Sequence, residues 1–156
     1  MTQKKRRLLL GLVLCAGAAC VVLAVWLHFR SKPLIEPSLD WQVYWVVCQV
    51  DGEPMEVTGY NQSALLSALS DSQVRPTRTQ VGATHWPEVE LSVWMTAADD
   101  PSVYRHIFFT GEDSYVEGLG ERNYAFLNSE EVKAALIAAL APYVDDPANL
   151  QPAFFS

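Results

Sequence analysis

The sequence predicts an α+β fold: an antiparallel sheet of about six strands with two helices on one face, preceded by a single N-terminal transmembrane helix. Three observations predict it. Leu8 to Phe29 is a run of 22 residues with no Asp, Glu, Lys or Arg. Short segments after residue 40 alternate apolar and polar side chains, the period of a strand. Two further segments, beginning at Gln62 and Asn128, place Leu, Val and Ile at helical spacing. The 156 residues, 50% hydrophobic and 19% charged, suit one domain of modest size and exclude a collagen, a coiled-coil rod or a polar disordered chain.

Charge divides the chain near residue 32. The net charge is -7, yet Lys4, Lys5, Arg6, Arg7, Arg30 and Lys32 precede any acid. Residues 33–156 hold all 18 acids against five of the 11 basic residues, about -13 by the same count. A surface this acidic repels phosphate backbones, so no nucleic-acid partner is expected. At 1.5 Å per residue, Leu8 to Phe29 is long enough for a hydrocarbon core of about 30 Å. The preceding Lys4-Lys5-Arg6-Arg7 then puts the N-terminus in the cytoplasm. The expected organisation is a cytoplasmic basic segment (1–7), a transmembrane signal anchor (8–29), a Pro-containing stalk (30–40), an extracytoplasmic α+β domain (41–142) and a C-terminal tail (143–156). The expected location is the cell membrane, single-pass, with the membrane itself as a partner. Cleavage after Ala24 and lipidation at Cys20 are the alternatives. The apolar run continues from Val21 to Leu27, which argues against lipidation.

The elements follow in order. Trp41 to Val50 alternates as a strand, and Asp51-Gly52 makes a hairpin turn because both residues tolerate positive φ. Glu53 to Thr58 returns as a second strand, with Pro54 marking an edge or a strand start. Asn61 caps a helix from Gln62 to about Ser70 whose apolar face holds Leu65, Leu66 and Leu69. Val74 to Gly82 reads as an extended excursion. Glu88–Thr96, Val103–Thr110, Ser114–Glu117 and Asn123–Leu127 read as an antiparallel meander, separated by Asp- and Gly-bearing turns. Asn128 and Glu131 form a capping-box arrangement for the last helix, and Pro142 stops it. The apolar ending Ala153-Phe154-Phe155-Ser156 is expected to fold back onto the domain.

The layout resembles an uncharacterised family of small extracytoplasmic domains of Gram-positive bacteria, tethered by a lipid or a single span. The resemblance covers residues 41–141. It rests on the Trp/Val-rich hairpin, the Leu65-Leu66-Leu69 helix, the excursion Arg75 to Pro87, the strands Leu91-Ser-Val-Trp and Ile107-Phe-Phe-Thr, and Tyr124-Ala-Phe-Leu-Asn-Ser-Glu-Glu before the last helix. It implies fold and location, with the Arg-bearing excursion recurring, and brings no catalytic residue with it.

No catalytic, cofactor-binding or metal-ligating residue is assigned. His85 and His106 lack metal-ligand spacing, and neither has a partner in sequence that would make a serine nucleophile. Cys48 is the one thiol beyond the apolar run and reads as a buried strand residue rather than a reactive group. Glu112, Asp113, Glu117 and Glu121 lie in or beside neighbouring turns and are the candidates for a calcium site. The candidate interaction surface is Arg75 and Arg78, rare cations in an acidic domain, together with Tyr44 and Trp94, which lie on the more polar faces of their strands. The expected function is non-enzymatic: a binding or accessory module of the cell envelope, partnered by an envelope or membrane protein. A cation sensor and an envelope hydrolase are the alternatives.

Overall fold

The computed structural model describes residues 3–77, 89–111, 113–120 and 123–153, and their side chains except those of residues 3–12, Leu14 and His28. The chain forms two compact units, one up to Arg30 and one from Ser31 onward.

The first unit is helix α1 (Gln3–Phe29), near whose end the Arg30 guanidinium lies 5.7 Å from the Trp26 ring centroid. Among the described residues no helix is long and apolar enough to cross a membrane. This overturns the transmembrane signal anchor over 8–29. The membrane as a single-span partner and the single-pass cell-membrane location fall with it.

The second unit is α+β, and its sheet has nine strands rather than about six. The strands are β1 (Lys32–Pro33), β2 (Trp41–Val50), β3 (Glu53–Val57), β4 (Gln73–Pro76), β5 (Leu91–Ala97), β6 (Tyr104–Thr110), β7 (Asp113–Glu117), β8 (Tyr124–Phe126) and β9 (Leu150–Pro152). Their order across the sheet is β1-β4-β8-β7-β6-β5-β2-β3-β9, antiparallel at every pairing. β5 to β8 form the meander, and the β2–β3 hairpin joins it through β2 against β5. At the hairpin turn Asp51 and Gly52 both have positive φ (53° and 84°), the backbone that a tight turn between right-twisted strands requires.

The three additional strands come from segments too short to alternate visibly. β1 and β9 are the outermost strands, and each contains a proline (Pro33, Pro152). Residues 30–40 are therefore not a free stalk: β1 pairs with β4, Leu34 N–H bonds Ser72 O at 3.0 Å, and Leu34 is 0% exposed. The tail also enters the sheet, with Leu150 opposite Val57 and Thr58 N–H bonded to Asn149 O at 2.8 Å. Phe154, Phe155 and Ser156 lie outside the described residues.

One face of the sheet carries Val43, Val46, Val93, Met95, Ile107 and Phe109, all essentially without exposure. Helices α2 (Gln62–Ser70) and α3 (Ser129–Val144) cover this face with Leu65, Leu69, Val132, Leu136 and Leu140. Asn61 caps α2 by accepting from Ala64 N–H at 3.3 Å. At α3, Asn128 instead donates its amide to the Glu131 carboxylate at 3.2 Å and makes no side-chain bond to the backbone. Pro142 does not end α3. It sits in the last turn, where it forfeits only its own N–H bond, and Asp145 N–H still reaches Ala141 O at 3.1 Å.

A buried arginine ties the ends of this layer together. Arg105 projects from β6 onto the helix-covered face and is 3% exposed. Its Nε donates to Leu34 O (3.2 Å), and its Nη1 donates to Tyr104 O (2.7 Å) and Gly118 O (2.8 Å). Its Nη2 reaches Glu36 Oε1 at 3.4 Å, and its guanidinium lies 4.8 Å from the Trp41 ring centroid. Burial pulls its pKa down, and the neighbouring Glu36 carboxylate partly restores it. Gly118 has φ +91°, and a Cβ there would meet Tyr104 O at 2.1 Å, so no other residue fits without moving the backbone.

Three expectations follow. Arg105→Lys removes the planar fork that reaches three carbonyls, and chemical denaturation should show a loss of at least about 2 kcal/mol. Glu36→Gln, at a carboxylate 51% exposed, should change stability by no more than about 0.5 kcal/mol. Gly118→Ala should cost at least about 2 kcal/mol in the same measurement.

Candidate functional site

The sheet face opposite the helices is aromatic. Its organising element is a bulge in β2: Val43 pairs with Met95 and Trp45 pairs with Trp94, so Tyr44 is the extra residue. A bulge interrupts the ladder and re-aims side chains. Here the Val43 carbonyl is taken by Tyr60 Oη (3.2 Å) and Gln62 Nε2 (3.1 Å), from the segment that opens α2. Burial, and then the nearby Glu56 charge, raises the pKa of Tyr60 and keeps its hydroxyl protonated as the donor. Tyr44 and Trp45 then both approach Trp94, with ring centroids 6.3 and 5.7 Å from it.

An open groove of about 430 Å³ lies here, lined by Tyr44, Trp94, Thr96, Pro101 and Tyr104. Tyr44 is 54% exposed and Tyr104 42%, while Trp94 is half-buried between them. The pKa of Tyr44 is raised by burial and then by Tyr104, which keeps its phenol protonated. Trp94 Nε1–H is buried with no hydrogen-bond partner.

Beneath Trp94 lies a polar relay. The His106 ring stacks on Trp94 with centroids 3.6 Å apart. Its Nε2 is 3.0 Å from Ser92 Oγ, and its Nδ1 is 3.5 Å from Glu117 Oε2. The order Ser–His–carboxylate is that of an acyl-transfer triad. The surroundings do not suit that chemistry. Ser92 is 0% exposed, so its hydroxyl meets no substrate. β5 is paired on both sides, which commits its N–H groups to the ladders rather than to an oxyanion. The relay fixes the plane of His106, and His106 supports Trp94. Sequence reading left His106 without a partner. The register supplies the partners, because Trp94, His106 and Glu117 stand opposite one another on three adjacent strands.

The expected surface residues separate. Tyr44 and Trp94 meet in the groove. Arg75 is exposed on β4, and β8, β7 and β6 lie between it and β5, a distance of roughly 19 Å at ordinary strand spacing. Arg78 and His85 lie outside the described residues, as do Glu112 and Glu121 of the calcium candidates. Asp113 and Glu117 stand at opposite ends of β7. Among the described residues no group of three or more His, Cys, Asp or Glu side chains is placed to hold a metal.

Cys48 lies on the helix-covered face, at a second groove of about 480 Å³ bordered by Glu90, Lys133, Ile137 and Val144. Lys133 is held there by Glu90 (2.6 Å) and Gly111 O (2.7 Å). Burial pushes the Cys48 thiol up, opposite to the shift an activated nucleophile needs. A thiol raised in the folded state stays protonated when the unfolded one ionises, so its contribution to stability is lost as pH rises through the ordinary thiol range. At about pH 8.5, iodoacetamide should modify Cys48 at least about tenfold more slowly in the folded chain than in urea, read by mass spectrometry of its peptide.

Comparison of the chain with protein-family models, with curated proteins and with solved structures returns no match.

Proposed function

We propose that the chain is a non-enzymatic binding module that takes a segment of a partner protein in the groove between Tyr44, Trp94 and Tyr104. The observation that carries this reading is the half-buried indole flanked by two tyrosines that the fold leaves exposed. Rigid aromatic side chains are the usual anchors of protein interfaces, because they offer a large contact area and lose few rotamers on binding. The relay under Trp94 supports the same reading, since it holds the anchor in place before a partner arrives.

Selection of a displayed random-peptide library on the full chain tests it. Peptides should enrich, and the Tyr44→Ala/Tyr104→Ala variant, whose melting midpoint should stay within a few degrees, should bind them at least about thirtyfold more weakly. No enrichment, or equal binding to the variant, overturns the reading.

A further inference from the structure

We infer that the occupant of the aromatic groove is a cationic side chain, the guanidinium of an arginine in a partner peptide. This rests on the groove being the binding site and names the chemistry it selects. The lining offers π faces and few free polar groups. The Thr96 hydroxyl already donates to Val103 O at 3.2 Å, and the Tyr44 phenol is neutral. A sugar or another polar ligand would find little beyond the two phenol hydroxyls to bond, whereas a guanidinium is attracted by the rings themselves and stacks flat on them. The chain makes this contact internally, with Arg105 over Trp41 and Lys32 Nζ 5.5 Å from the Tyr124 centroid.

Charge agrees. Residues 33–156 hold all 18 acids and five of the 11 basic residues. Among the described basic residues of that stretch, Arg105 and Lys133 are bonded on the opposite face or at α3, and Arg75 is four strands away. None lines the groove. Asp99 and Asp100 are exposed immediately before Pro101 of the lining. The Asp100 carboxylate accepts from Ser102 Oγ (2.6 Å) and Ser102 N–H (3.0 Å), which lowers its pKa and keeps it ionised beside the groove. An arginine entering over the rings meets a negative rim and, among the described residues, no lysine or arginine in the lining.

The test is calorimetric titration of the full chain with an acetylated (Gly-Arg)3 amide and with its citrulline counterpart, a neutral side chain of nearly the same shape. The arginine peptide should bind at least about tenfold more tightly, and raising salt from about 50 to about 300 mM should weaken it. Tyr104→Ala should abolish the difference between the two peptides, and Tyr104→Phe should restore it. Equal affinity for both peptides overturns the cationic occupant, while the library selection above still decides on the groove. Arginine-peptide binding that survives Tyr44→Ala/Tyr104→Ala also overturns it, because the attraction is then the diffuse field of the acidic surface. Failure to bind either peptide overturns it as well. Library peptides that enrich without a basic residue do so too, and they leave the binding reading intact.

Discussion

A single guanidinium on the buried side of β6 organises the molecule. Arg105 sits where three chain segments meet: the stretch after β1, the start of β6 and the turn after β7. Each presents a carbonyl that accepts from the guanidinium. Only a planar group with several fixed N–H directions serves all of them at once. The stack on Trp41 places that charge against the first residue of β2 and so ties the outer hairpin to the same point. The buried charge is therefore offset by bonds to backbone, with Glu36 a half-exposed accessory.

The aromatic face depends on a second departure from regularity. Without the bulge at Tyr44, strict alternation along β2 would send one member of the Tyr44–Trp45 pair toward the helices. The extra residue allows both to stand beside Trp94. Its cost, an orphaned Val43 carbonyl, is met from the opening of α2 by Tyr60 and Gln62. A helix on one side of the sheet thus stabilises the geometry of the groove on the other. The His106 relay completes the support from below, so the exposed aromatics rest on a rigid, layered base.

Local chemistry made some of this legible in the sequence. The Asp51-Gly52 turn, the Asn61 cap and the Leu65/Leu69 stripe each declare themselves within a few residues, because their causes are local. The short strands at Lys32, Gln73 and Leu150 do not. Two to four residues contain too little alternation, and pairing with a distant strand is what orders them. Tyr44 and Trp94 were singled out by face polarity alone, and their meeting required the β2–β5 register. Tyr104 escaped notice because the turn at Pro101 brings it to the groove from the next strand. The serine and carboxylate around His106 were invisible for a related reason: cross-strand neighbours are remote in sequence. The apolar run at residues 8–29 invited a membrane span, whereas among the described residues no helix is long and apolar enough to cross one.

Both borders of the sheet end in very short strands, and both contain a ring that donates no hydrogen bond. An incoming extended chain would find neither a long row of free amides nor a flat rim to align with. Recognition by strand addition is thereby closed off along these borders, as is end-to-end polymerisation of copies through the sheet. Along these two borders, specificity falls to the shape and charge of side chains rather than to backbone complementarity.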